Sequence, residues 1–187
     1  MHGKRGIAGE ETKETGNLIK AVLFDLGDTL IVEEAVEGRH LWEVTLQKVP
    51  HVDEVLQALR QRYRLGIITN TVTSREHHVR TALRRIGLEH YFDVILTSVD
   101  VGCDKPDEKI FLKALRALDV LPEEAVMVGN RISTDIVGAN RIGMKTVLFK
   151  WNERYPEEAG SPSEQPTHTI SSLKELPRVL SEFEKEE

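Results

Sequence analysis

From Asn17 onward the chain alternates two kinds of hydrophobic pattern. Five short apolar runs stand out: Ala21-Val22-Leu23-Phe24, Leu65-Gly66-Ile67-Ile68, Val94-Ile95-Leu96, Ala125-Val126-Met127-Val128 and Thr146-Val147-Leu148-Phe149. Each is too brief for a helix and rich in β-branched or large apolar residues, which predicts strands buried on both faces. Thr167 to Ile170 predicts a sixth, weaker strand. Between the runs, apolar residues recur at helical spacing: Val52, Val55, Leu56 and Leu59; Val79, Ala82, Leu83 and Ile86; Ile110, Phe111, Ala114, Leu115 and Leu118. Such stripes predict helices that bury one face. Thr73-Ser74-Arg75-Glu76 has the spacing of a capping box for the second of them, and Gly87 supplies its stop. Two more helices are predicted, over Thr134–Arg141, closed by Gly143, and over Leu173–Glu184. The proline-rich stretch from Tyr155 to Pro166 predicts a surface loop. Strands that alternate with helices of this length imply right-handed crossovers and a parallel sheet, an α/β architecture.

Composition narrows the function classes. Hydrophobic residues make up 40% of 187, enough for a full core in one domain. Lysine and arginine number 25 against 31 aspartates and glutamates, a net charge of −6, which argues against a nucleic-acid binder that works by neutralising phosphates. No apolar run approaches the roughly 18 residues of a membrane span. The single Cys103 rules out an intrachain disulfide and fits a reducing, cytoplasmic compartment. Met1 to Gly16 carries charges and glycines without an apolar signal core, so residues 1–17 are expected to be a flexible leader and 18–187 one domain.

In parallel sheets ligands bind beyond the carboxyl ends of the strands. The first predicted strand ends in Asp25 and the second in Thr69-Asn70. The third ends in Thr97-Ser98, followed by Asp100 and Lys105-Pro106, and the fourth in Gly129-Asn130, with Asp135 five residues on. Each of these alone is what a turn or a helix cap would also use. Together, on one sheet edge, they make an inventory for phosphoryl transfer. Asp25 is placed to be a nucleophile, Lys105 to offset phosphate charge and Thr69 to bind phosphate oxygens. Carboxylates with open positions suit Mg²⁺, a hard cation that takes oxygen ligands.

The same four segments resemble the motifs of the haloacid dehalogenase (HAD) superfamily. Val22-Leu23-Phe24-Asp25-Leu26-Gly27-Asp28-Thr29-Leu30 is similar to its first motif and Leu65-Gly66-Ile67-Ile68-Thr69-Asn70 to its second. Gly102-Cys103-Asp104-Lys105-Pro106 resembles the third, and the stretch from Val128 to Met144 resembles the fourth. The resemblance runs from about Ala21 to Phe149 and implies a three-layer, Rossmann-like fold with helices on both faces of the sheet. It implies Asp25, Thr69 and Lys105 as catalytic residues and Thr69, Asn70 and Lys105 as the phosphate holders. It also implies a Mg²⁺ site formed by Asp25, the backbone carbonyl of Gly27, Asn130 and Asp135.

Two residues depart from the family pattern. Most phosphatases of the superfamily carry a second aspartate, the general acid/base, two residues after the nucleophile; here that residue is Gly27, and the aspartate comes one step later, as Asp28. Along an extended chain that one-residue displacement faces a side chain the other way, so Asp28 reaches the site only if the backbone bends there. The first acidic position of the fourth motif is Asn130, which keeps an oxygen ligand but loses a charge. Proton transfer contributes about 10²–10⁴-fold, so both departures point to a slow or specialised phosphatase.

Neither usual insertion point holds a domain-sized cap. Only about 20 residues separate Leu30 from the helix near Val52, charged through Glu33, Glu34, Glu37, Arg39 and Glu43, with Leu41, Trp42, Val44 and Leu46 as a short helix. Trp151 and Tyr155 are expected to cover an edge of the core. The leading expectation is thus a Mg²⁺-dependent hydrolase of phosphate esters acting through an aspartyl-phosphate. Its substrate would be a small phosphorylated molecule or a phosphorylated macromolecule, and a homo-oligomer is compatible with the sequence. The alternative is a catalytically weak HAD-like domain that binds a phosphorylated ligand or protein partner; a haloacid dehalogenase ranks last.

Overall fold

The computed structural model describes residues 18–33, 40, 41 and 43–185. The expected leader over 1–17 lies outside the described residues, as does Trp42.

Six parallel strands form one sheet: β1 (Ala21–Phe24), β2 (Arg64–Thr69), β3 (Val94–Thr97), β4 (Ala125–Gly129), β5 (Lys145–Phe149) and β6 (His168–Ile170). Their spatial order is β3-β2-β1-β4-β5-β6. The helices are α1 (Val52–Leu59), α2 (Glu76–Arg85), α3 (Ser98–Val101), α4 (Glu108–Leu118), α5 (Val137–Arg141) and α6 (Leu176–Phe183). Strand residues alternate between two apolar layers. Val22, Phe24, Val126 and Val128 pack with Leu56 of α1, Leu83 of α2 and Leu180 of α6. Ala21, Leu23, Ala125 and Met127 pack with Phe111 and Leu115 of α4 and Ala139 of α5. Helices therefore cover both faces, and the strands read as unbroken apolar runs because neither face meets water.

The strand order explains where the cleft lies. From β1 the chain builds outward through β2 and β3, then crosses to the other side of β1 for β4, β5 and β6. Crossovers diverge at the β1–β4 border, and the crevice that this leaves at the carboxyl ends is where α/β proteins bind ligands. The β1–β4 ladder continues one residue past the strand, Asp25 N–H donating to Val128 O at 2.9 Å. That bond fixes Asp25 at the lip of the crevice.

Four elements differ from the sequence expectation. The short helix expected through Leu41, Trp42, Val44 and Leu46 is not formed in its described residues, which are turn, bend and irregular chain. The helix predicted over Thr134–Arg141 begins as a π-turn, Ile132–Ile136, before α5. Such wide turns recur at functional sites because they re-aim one side chain, and here that side chain is Asp135. The cap of α2 is not Thr73. The helix opens at Glu76, whose N–H donates to the Asp100 carboxylate at 2.6 Å, while Arg75 Nη1 donates to the same carboxylate at 2.9 Å. A full negative charge from a distant turn outcompetes a local hydroxyl at a helix N-terminus. Asp100 and Thr97, bonded to each other through Thr97 Oγ1 at 2.7 Å, are therefore spent on capping. The predicted tail helix opens as a 3₁₀ turn, Leu173–Glu175, ahead of α6. Among the described residues no helix is long and apolar enough to cross a membrane.

Candidate active site

A cleft of about 400 Å³ opens at the carboxyl ends of β1, β2 and β4. Asp25, Gly27, Thr69, Asn70, Lys105 and Asn130 all line it. At its floor Lys105 Nζ donates to Asp25 Oδ1 at 2.7 Å and to Asp135 Oδ1 at 2.6 Å. Asp135 is fully buried beside this ammonium. Its other oxygen accepts the Arg131 N–H at 3.1 Å. Gly129 makes this approach feasible: a Cβ there would fall 2.3 Å from Asp135 Oδ2.

Two carboxylates and one ammonium in a partly dry site perturb one another. Burial raises the Asp25 carboxyl, the Lys105 ammonium pulls it back, and Asp135 raises it further, leaving it near 6. The Leu26 N–H, hydrogen-bonded to the carboxylate, opposes the rise. Burial alone would lower Lys105, but Asp135 and Asp25 outweigh it and hold the ammonium above its ordinary range. Two carboxylates against one ammonium leave acidic oxygens in excess, which suits a cation.

Asn70 acts on the same lysine. Its Nδ2 donates to Lys105 O at 3.0 Å and its Oδ1 accepts Lys105 N–H at 2.8 Å. The amide therefore clamps the Lys105 loop from both sides, and Asn70 positions the ammonium rather than standing free for a phosphate as the sequence suggested. Thr69, at the end of β2, is buried and faces the cleft.

The residues expected around a metal fit one. Asn130 is 7% exposed, and neither its Oδ1 nor its Nδ2 has a hydrogen-bond partner. An unpaired buried amide costs about 1–3 kcal/mol, so it asks for a ligand. With Asp25, Asp135 and the Gly27 carbonyl it makes an all-oxygen set, the chemistry of a hard divalent cation. Among the described residues no cluster of three or more His, Cys, Asp or Glu side chains could hold a metal, so the amide and carbonyl oxygens would have to contribute.

Asp28 does sit at a backbone bend, with φ +50°. The bend does not send its carboxylate into the cleft. Asp28 is 1% exposed, its Oδ1 accepts Glu33 N–H at 3.0 Å and its Oδ2 lies 3.1 Å from Arg154 Nε. Trp151 Nε1 donates to its carbonyl at 2.8 Å. Trp151 and Tyr155 thus tie the segment after β5 to the loop after β1, a closer involvement than covering an edge of the core. Several cleft residues were not among the expected site residues, Glu33, Arg131, Arg154 and Tyr155 among them. The turn after β1 brings Glu33 to the site and the segment after β5 brings Arg154 and Tyr155, and no local spacing signals either; Arg131 simply follows Asn130.

The parallel α/β sheet thus holds a carboxylate, a lysine and a second carboxylate at its switch point. The model of haloacid dehalogenase-like hydrolases matches residues 28–149, well over half of the chain. The chain belongs to this family. It is 37% identical over 164 residues to a glyceraldehyde 3-phosphate phosphatase of Methanothermobacter thermautotrophicus, covering 85% of this chain and 71% of that one. It is 36% identical over 142 residues to the Methanopyrus kandleri enzyme of the same name and 35% identical over 160 residues to a ribulose-1,5-bisphosphate 5-phosphatase of Halopiger xanaduensis. Those two matches cover 75% and 83% of this chain but span only 60% and 65% of the relatives' lengths. Among solved structures, a HAD phosphatase from Thermococcus onnurineus superposes with a TM-score of 0.69 at 29% identity, covering 87% of this chain and 98% of that one.

Proposed function

We propose that this chain hydrolyses small phosphate esters, with Asp25 as the nucleophile that becomes phosphorylated. The observation that carries this reading is the bridged pair at the cleft floor, Lys105 Nζ 2.7 Å from Asp25 and 2.6 Å from Asp135. A carboxylate so held is pre-oriented, and a buried ammonium beside it offsets the charge of an arriving phosphate. With its carboxyl near 6, Asp25 is mostly ionised at pH 7 and can attack phosphorus. Thr69 supplies a hydroxyl to a phosphate oxygen, Lys105 an ammonium, and Asn70 keeps Lys105 in place. Mg²⁺ held by Asp25, the Gly27 carbonyl, Asn130 and Asp135 would supply further charge neutralisation. The cleft's volume is that of a small-molecule site, and the named relatives act on small sugar phosphates, so we assign a small ester rather than a macromolecule. The single thiol of Cys103 supports a cytoplasmic setting.

A second reading has its own support: Gly27 lacks the acidic side chain and Asn130 lacks the charge of the family pattern, which favours a weakly active domain that binds phosphorylated ligands. The two separate in one experiment. Purified protein is given an activated aryl phosphate with and without Mg²⁺, beside Asp25→Asn. Turnover that needs both Mg²⁺ and Asp25 supports the hydrolase. Thermal stabilisation by a phosphate ester without turnover supports the binding domain, and wild-type turnover in Asp25→Asn refutes the nucleophile.

A further inference from the structure

A hydrolase of this design needs a group to protonate the departing alkoxide, and Gly27 cannot be it. The space beside Gly27 is nevertheless filled by a carboxylate. A Cβ built on Gly27 would lie 3.3 Å from both Cδ and Oε2 of Glu33, six residues later in the chain. Glu33 lines the same cleft as Asp25 and Lys105.

The loop after β1 is built to bring it there. Leu30 and Ile31 N–H both donate to Leu26 O, at 2.9 and 3.1 Å, and Asp28 N–H donates to Ile31 O at 2.7 Å. The chain thus doubles back, with Gly27 and Ile31 forming a bridge. Asp28 in its left-handed conformation then accepts the Glu33 N–H at 3.0 Å. Tyr155 Oη donates to Glu33 Oε2 at 2.9 Å, and burial together with that bond pushes the phenol up to about 12. Main chain and carboxylate are both anchored, and no described residue bonds to Oε1. A Cβ at 27 would press on the Glu33 carboxylate by a few tenths of an ångström, and a longer side chain would compete for its space.

We propose that Glu33 is the catalytic acid and base of this site, occupying from position 33 the space that a side chain at 27 would take. The proposal rests on the phosphate-ester reading above. In the first half-reaction the Glu33 carboxyl gives its proton to the ester oxygen while the Asp25 oxygen–phosphorus bond forms and the phosphorus–ester oxygen bond breaks. In the second, the Glu33 carboxylate takes a proton from water as the water oxygen bonds to phosphorus and Asp25 leaves, which restores the carboxyl. Asp28, turned toward Glu33 N–H and Arg154, is a positioning residue for Glu33.

The test compares wild type, Glu33→Gln and His40→Asn on para-nitrophenyl phosphate and glycerol phosphate. His40 is the control because it also lines the cleft, near Thr73 Oγ1 at 3.2 Å. kcat/KM reports the steps through loss of the leaving group, so a lost acid shows only where the leaving group is basic. Glu33→Gln is expected to lower kcat/KM for glycerol phosphate by about 100-fold or more while leaving the aryl ester within about threefold. The variant should also accumulate one phosphoryl group on the intact protein during aryl turnover, because the second step has lost its base. Equal losses on both esters, no loss on either, or a selective loss in His40→Asn instead would overturn the proposal. If wild type hydrolysed neither ester, the phosphatase reading itself would fail. If Asp25-dependent aryl turnover persists with an unselective Glu33→Gln, only the role of Glu33 fails.

Discussion

Asp25→Asn should make the metal-free protein more stable at neutral pH, by an amount that depends on pH. The unperturbed carboxyl titrates near 3.8 and the folded one near 6, so the native state holds this proton more tightly than the unfolded chain does. Between those values the unfolded state is the one that has lost it, and the group's contribution to stability falls as pH rises. A shift of this size corresponds to about 3 kcal/mol at 1.36 kcal/mol per unit. With 13% of the side chain still in contact with solvent, that figure is an upper bound. Below about pH 4 wild type and variant both carry a neutral group, and the two should have similar stabilities. Above about pH 6 only wild type carries a charge at position 25. Urea unfolding in chelator, at several pH values from about 4 to 7.5, should show the gap in favour of the Asp25→Asn variant opening across that interval. Differencing the two proteins cancels every shared group that does not interact with position 25, leaving Asp25 with its partners Lys105 and Asp135. A gap that stays constant or closes with rising pH would refute the burial-dominated account of Asp25. A widening gap would mean that the Asp25 carboxylate is kept at the expense of stability, as active-site groups often are.

Asn130→Asp adds a charged oxygen to a buried site already holding Asp25 and Asp135. Its melting temperature should fall in chelator, and its rise on adding Mg²⁺ should exceed that of wild type; an unchanged Mg²⁺ response would place Asn130 away from the cation. Gly129→Ala puts a Cβ where Asp135 Oδ2 lies 2.3 Å away. Displacing that buried carboxylate from Lys105 should cost about 3–5 kcal/mol in urea unfolding, the cost of breaking a buried ion pair, and wild-type stability would refute the close packing.

The sheet was readable in the sequence because its strands are buried on both faces. Ala21–Phe24 and Ala125–Gly129 are apolar at every position and too short for a helix, the signature of a central parallel strand. The floor of the site was readable for a related reason. Asp25, Thr69 and Asn130 stand at or just past strand ends, where parallel topology alone brings them together. Lys105 and Asp135 follow on short connections. What the sequence concealed lies on return paths. The cap of α2 comes from Asp100, 24 residues away, and the π-turn at Ile132–Ile136 has no hydrophobic period of its own.

The loop after β1 shows why the missing acid could not be found by pattern. Alternation along a strand correctly says that Asp28 faces away from a site that Asp25 faces. It cannot say that the chain reverses within the next three residues. The reversal is encoded by several weak local preferences acting together: an aspartate that tolerates φ +50°, a glycine that leaves a void, and Leu26 O as a shared acceptor. None of these is a motif, and each has common uses elsewhere. Their joint effect appears only when Trp151 and Tyr155, more than 120 residues downstream, bond to the Asp28 carbonyl and the Glu33 carboxylate. A segment that bridges these two loops does locally what a domain-sized insertion would do: it walls one side of the cleft and fixes the polar group nearest Gly27. The substitution at position 27 and the tie between Glu33 and Tyr155 are therefore one structural solution, since a side chain at 27 would compete for the space that the tie holds.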